Sequence, residues 1–298
     1  MRTDISFNAQ GTRLRGWLFT PESARKSMPL VVMAHGFMGT KEMTLGRYAE
    51  VISAKGMSVL VFDHRNTGAS EGSPRYDVDP VAQWRDFGHA ITYGQTLPGI
   101  DPSRIGIWGT SYSGGEVIAV AALDRRVKCV VTQVPLISGY ENILRLAPSA
   151  ALKDIRAMID DDRRAQAGGA APGLAPICAA DPSEPHLFPG RRTYDYYHSH
   201  KAANPDMAWE NKVTIQSVQY LLEFDVTPWL ERVAPTPMLM IVAADDISTP
   251  TDIALRAYNR ALDPKKLLIV PGDHYGSYLE AFDQTSATAR DWFAEHLF

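Results

Sequence analysis

A serine hydroxyl becomes a useful nucleophile only when it is held exposed beside a base. Residues 104 to 115, RIGIWGTSYSGG, provide such a setting: a buried strand runs into Gly109-Thr110-Ser111-Tyr112-Ser113-Gly114-Gly115, and a helix follows at once. A sharp strand-to-helix turn presents the serine but crowds its neighbours, so small residues are needed two positions before it and two after. Gly109 and Ser113 hold those places. Glycine is the usual residue at the second, which makes Ser113 a departure, though a small one with Gly114 beside it. The helix start behind Ser111 offers free N–H groups and the positive end of a dipole to a developing oxyanion.

A base and an acid are then required, following the serine in the order acid, histidine for a turn of this kind. VAADDISTP places Asp246 four residues before Pro250, and VPGDHYGSY places His274, each just after a predicted strand. His274 takes the serine proton in this reading, and Asp246 fixes the imidazole tautomer and stabilises its cation. Asp245 is adjacent and remains an alternative acid, although the spacing to Pro250 favours Asp246. Asp273 shares the loop of the base, which makes it a poor orienter. MAHGFMG (33–39) closes another strand, so the backbone N–H groups of Phe37 and Tyr112 are the expected oxyanion donors. His35 and His64 read as structural, and Asp63 and Arg65 as residues that pair or brace turns.

These loops need strands that end at one edge. Residues 4 to 9 and 12 to 19 flank Gly11 as a hairpin. The apolar runs 29–35, 57–63, 104–109 and 126–134 read as strands, those covered on both faces being continuous rather than alternating. Helices are expected over 41–55, from Asp79-Pro80 with Val81, Trp84, Phe87 and Ile91 on one face, and from Tyr112. After about residue 137 the rhythm stops. It resumes with strands at 238–244 and 266–272, a helix over 250–262, and a last helix over 277–296. The pattern predicts a mostly parallel sheet with helices on both faces, its active residues at the carboxyl ends of strands. The expected division is a first core part (1–136), an inserted, mainly helical cap (137–228, with a helix near 215–224) and a second core part (229–298), since a structureless loop of that length is improbable.

The bulk numbers fit an ordinary soluble globular protein: 298 residues, 45% hydrophobic, 21% charged and a formal net charge of -4. Nothing in that balance favours nucleic acid or an anionic membrane as a partner. Cys129 and Cys178 give neither a disulfide framework nor a metal-ligand spacing, and Cys129 reads as a small buried hydrophobe. With no secretory h-region at the start and no long apolar span, a cytoplasmic location is the default expectation. His198 and His200 read as a loop pair without a completing ligand set, and Arg191-Arg192 as a solvated rim. No metal is expected. The oligomeric state is open, a homodimer included.

HGFMG, the D-x-R-x-x-G-x-S-x-G string from Asp63 to Gly72, GTSYSGG, the D-x-x-x-P of Asp246 to Pro250 and Gly272-Asp273-His274 occur in one order along the chain. In this the sequence resembles the α/β-hydrolase superfamily over almost its whole length, with Asn66 standing where glycine is usual. It is similar in detail to the polyketide-transferase and thiohydrolase-like branch, and serine esterases like the cocaine-esterase group share the G-x-S-Y-x-G turn. The resemblance implies an eight-stranded sheet, a cap roofing the site, and ester, thioester or related acyl chemistry through an acyl-enzyme without a cofactor. Tyr140, Phe188, Tyr194, Trp209 and Phe224 of the cap would line an apolar acyl pocket or pack the cap together. The expected function is carboxylesterase-like hydrolysis of a small-molecule ester or thioester. The alternatives are acyl transfer or thioester cleavage on polyketide-like or carrier-bound acyl groups, and ligand binding on a hydrolase scaffold.

Overall fold

Alternate residues of the central strands divide between two apolar layers, as the two-residue period of a strand requires. The computed structural model describes residues 1–22, 27–147 and 149–298. A hairpin of β1 (Arg2–Ala9) and β2 (Thr12–Phe19) turns at Gln10 and Gly11, both at positive φ, the geometry that matches strand twist. There follow β3 (Met28–Ala34), α1 (Leu45–Ser53), β4 (Ser58–Phe62), α2 (Pro80–Gln95), β5 (Ile100–Thr110), α3 (Tyr112–Leu123) and β6 (Val127–Gln133). The stretch after β6 carries α4 (Gly139–Leu146), α5 (Ser149–Ala167), β7 (Leu174–Ala175), α6 (Arg191–Ala203), β8 (Val213–Thr214), α7 (Ile215–Glu223) and α8 (Leu230–Val233). The chain closes with β9 (Met238–Ala243), α9 (Thr251–Arg260), β10 (Lys265–Val270) and α10 (Phe282–Leu297).

Eight strands form one sheet in the order β1-β2-β4-β3-β5-β6-β9-β10, and β7 pairs β8 in a separate two-stranded ribbon. β2 runs antiparallel to β1 and β4, and all other pairs in the large sheet are parallel. Leu30, Val32, Leu60 and Phe62 face the layer of α2, α3 and α9, whereas Val31, Met33, Val59 and Val61 face that of α1 and α10. Both layers are closed, which is why the strands read as continuous apolar runs.

Some expectations shift. Thr44 sits at φ 64, so α1 starts at Leu45 rather than at 41. Asp79 caps α2 through the amides of Val81 and Ala82 as its sequence suggests, but Val81 is exposed and the buried face is Phe87, Ala90 and Ile91. A 3₁₀ turn at Tyr275–Ser277 precedes α10, which begins only at Phe282. His198 and His200 lie on α6 and not in a loop, their rings against Tyr194 and Tyr196. Arg192 is more than a solvated rim, since it pairs with Asp273 at 2.9 Å and Glu280 at 2.7 Å, tying α6 to the chain around His274. No helix among the described residues is long and apolar enough to cross a membrane.

Candidate active site

The turn between β5 and α3 holds Ser111 at φ 57 and ψ −119, a conformation that L-residues avoid. Its neighbours over-determine it. The Ser111 amide donates to Gln133 O at 2.9 Å, and its carbonyl accepts from Leu136 N at 2.9 Å and Gly115 N at 3.2 Å. A Cβ at residue 109 would meet Ser113 O at 2.1 Å, which is why glycine must stand there. A Cβ at residue 36 would meet the Ser111 Cβ at 2.8 Å, so the loop after β3 runs directly against the nucleophile turn. No protein acceptor among the described residues takes the amide protons of Phe37 or Tyr112. Both amides belong to the turns that meet at Ser111.

His274 lies in the loop after β10, with Nε2 3.1 Å from Ser111 Oγ and Nδ1 2.8 Å from Asp246 Oδ2. Asp246 follows β9 and is buried, while Asp245 points to solvent. Asp273 accepts from Gly276 N and pairs with Arg192, out of the contact chain. The sequence reading passed over Thr249. Its amide donates to Asp246 Oδ1 at 2.8 Å, and its hydroxyl lies 3.0 Å from Asp246 Oδ2 and 3.2 Å from His274 Nδ1. The D-x-x-T spacing before Pro250, an Asp side chain bonding a backbone amide a turn later, was the available signal. Tyr278 lies just beyond the 3₁₀ turn and before α10. Its hydroxyl lies 2.6 Å from Thr110 Oγ1 and 3.5 Å from His274 Nε2, and burial pushes its phenol well up.

Ser113, the departure from glycine, is fully buried and joins a second polar cluster. Its Oγ donates to Glu116 Oε2 at 2.6 Å and lies 2.8 Å from His64 Nε2. Burial pushes the Glu116 carboxyl well above its ordinary range and His64 well below, in each case favouring the uncharged form. His64 N donates to His35 Nε2, and His35 Nδ1 donates to Gly36 O at 2.9 Å, bracing the loop. Burial also lowers the His35 pKa. Asp63 and Arg65 do not pair with each other. Asp63 bonds Lys41 Nζ at 2.7 Å, and Arg65 makes a two-pronged contact with Asp86. Asn66 takes φ 66, which explains why glycine is usual there and asparagine is admitted.

A pocket opens over Ser111, and its walls include Phe37, Leu136, Phe188, Tyr196, Tyr197 and Tyr278. Of the five aromatic residues expected to line it, Phe188 does so. Tyr140 is exposed, Trp209 stacks on Tyr197, and Phe224 packs behind Tyr112. Tyr194 stacks on His198. Tyr197 donates to Phe37 O at 2.7 Å, which pins the loop carrying one free amide. No Asp, Glu, Lys or Arg side chain lines the pocket among the described residues. Nor do they include a group of three or more His, Cys, Asp or Glu placed to hold a metal.

Residues 10–276 match the family model described as X-Pro dipeptidyl-peptidase (S15 family). Thiohydrolase aneE of Aspergillus aculeatus is 32% identical over 271 residues, 89% of this chain and 83% of that protein. Quorum-quenching protein AidA of Acinetobacter baumannii is 38% identical over 176 residues, 59% of this chain and 57% of that protein. The crystal structure of the α/β hydrolase GrgF from Penicillium sp. sh18 superposes with a TM-score of 0.84 at 26% identity, covering 100% of this chain and 99% of that one.

Proposed function

The chain belongs to the X-Pro dipeptidyl-peptidase (S15) family and has the α/β-hydrolase fold, and on that premise we propose that it is a serine hydrolase of carboxylic esters or thioesters working through an acyl-enzyme. Ser111 Oγ attacks the carbonyl as His274 Nε2 takes its proton. Asp246 holds the imidazole through Nδ1, and the amides of Phe37 and Tyr112 receive the oxyanion. The leaving group departs with the proton from His274, and water, or another acceptor, releases the acyl group by the reverse sequence. The observation that carries this reading is the unbroken contact from Ser111 Oγ through His274 to Asp246 Oδ2, at 3.1 and 2.8 Å.

The uncharged pocket argues for a neutral acyl substrate over a peptide with a free N-terminus. A buried ammonium would have no carboxylate to pair with there. The two core parts and the intervening insert, divided near residues 137 and 228, would work as base and roof. The test is hydrolysis of p-nitrophenyl acetate and butyrate by wild type and Ser111→Ala. A loss of about 10⁴ to 10⁶ in kcat is expected. Equal rates would remove Ser111 from the chemistry.

The similarity to a thiohydrolase favours a second reading, acyl transfer or thioester cleavage on polyketide-like or carrier-bound acyl groups. Partition between water and an added alcohol or amine distinguishes the two. An acceptor that captures most of the acyl group at millimolar concentration marks a transferase, and unchanged hydrolysis marks an esterase.

A further inference from the structure

The space directly over Ser111 is tight, about 60 Å³. Beside it, within the stretch between β6 and β9, lies a second cavity of about 550 Å³. Its walls are largely apolar, with Ile143, Leu146, Ile155, Met158, Leu187 and Leu221 among them. Phe188 lines both spaces, one through its contact with the catalytic loop and the other through the insert. Its backbone is fixed, since the Phe188 amide donates to Ile177 O at 2.8 Å. Its ring is held less firmly: it is only half-buried and meets Phe37 edge-on at 5.2 Å. A rotation about the side-chain bonds of Phe188 would leave that main-chain bond intact.

We propose that Phe188 is a door between the catalytic chamber and an acyl-chain chamber, and that the second cavity takes the distal apolar part of a medium or long acyl group whose carbonyl is presented to Ser111. The inference rests on the reading of Ser111 as the nucleophile. An apolar chain is the occupant because the second space shares a wall, Phe188, with the catalytic one and its lining is largely apolar. Asp154 and His186, the polar residues of its lining, are respectively exposed and half-buried. An apolar chain there leaves water on both sides of the transfer, whereas a charged or heavily hydroxylated one loses its hydration without replacement.

The experiment compares kcat/KM for p-nitrophenyl decanoate and acetate in wild type and three variants. Ala151→Phe fills the second cavity, and the decanoate-to-acetate ratio is expected to fall about tenfold or more. Phe188→Ala removes the door and raises the ratio, mainly through a lower KM for decanoate. Phe188→Trp lowers it. Met158→Trp, a second way to fill the cavity, replaces Ala151→Phe if that variant melts early. A ratio unmoved by all of these, with acetate hydrolysis still dependent on Ser111, overturns the chamber and leaves the active-site reading intact. Acetate hydrolysis that survives Ser111→Ala overturns the active-site reading itself, so the two failures are separable.

Discussion

Two serine-histidine-carboxyl triplets lie back to back on the turn into α3, and they share residue types but not wiring. In Ser111–His274–Asp246 the imidazole is the middle member, one nitrogen on the hydroxyl and the other on the carboxylate. In Ser113–His64–Glu116 the hydroxyl is the middle member, contacting both ring and carboxyl, and His64 Nδ1 has no hydrogen-bond partner among the described residues. The first opens to a pocket lined by Phe37 and Tyr112, whose amides have no protein acceptor among the described residues. All three side chains of the second are sealed, and burial pushes the pKa of its acid well up. A histidine without an orienting acid, and a serine without room for a carbonyl, cannot carry acyl transfer. Residue types alone therefore say little. What separates a reactive triplet from a structural one is which member stands in the middle and whether space lies in front of it.

The sharpest way to break this contrast is to remove the orienting charge on the open side. Asp246→Asn keeps the shape but presents an amide that favours the wrong imidazole tautomer, and kcat on p-nitrophenyl butyrate is expected to fall by about 10⁴. The Thr249 donors then face an amide group, which cannot accept from all of them as a carboxylate does. A decrease under tenfold would mean that Asp246 orients nothing that matters to the rate.

The open side was legible in the sequence because each of its members follows a strand, and strands announce themselves as apolar runs. Continuous apolar runs such as Leu30 to Met33 marked the buried strands, and their ends marked the loops that hold Ser111, Asp246 and His274. The sealed side was not legible. His64 and Ser113 are 49 positions apart, and no local period marks a contact between a strand end and a helix first turn. Only the odd serine at 113 hinted that something replaced glycine for a reason. α6 was hidden for another cause: its buried residues are Thr193 and Tyr197 alone, too few to draw an apolar stripe, so an aromatic and basic cluster masked a helix. The residues that tie this helix to the site, Tyr197 to Phe37 and Arg192 to Asp273, act across distances in the chain that spacing does not encode.

A smaller effect tests the sealed side. Ser113→Ala deletes the middle hydroxyl while keeping its Cβ, leaving His64 Nε2 and the Glu116 carboxyl, 3.4 Å apart, to partner each other. A loss of about 1 to 3 kcal/mol in unfolding free energy is expected from urea titration, the cost of disturbing a buried hydrogen bond. The kcat on butyrate ester should change by less than about tenfold, because the hydroxyl touches no reacting atom. A drop comparable to that of Asp246→Asn would join the two triplets into one machine and end the distinction.

The smallest effect is a slope. The Glu116 carboxyl, facing His64 and Ser113 with Tyr112, Asp86 and Asp79 in its field, is pushed well up, first by burial and then by the neighbouring carboxylates. Folded Glu116 keeps its proton in a range where the unfolded chain releases it. The stability it contributes is whole below the ordinary carboxylate pKa of about 4.3 and is lost progressively as pH rises toward the elevated folded value. His64 acts with the opposite sign: its folded pKa is lowered, so its contribution is whole above about 6.5 and fades as pH falls. Glu116→Gln mimics the protonated acid and removes only the first of these. Melting temperatures of variant and wild type should lie close together at pH 5 and separate in favour of the variant as pH rises. A difference that stays flat across that span would mean that Glu116 is ionised in its buried site, and the two triplets would then differ in exposure but not in charge.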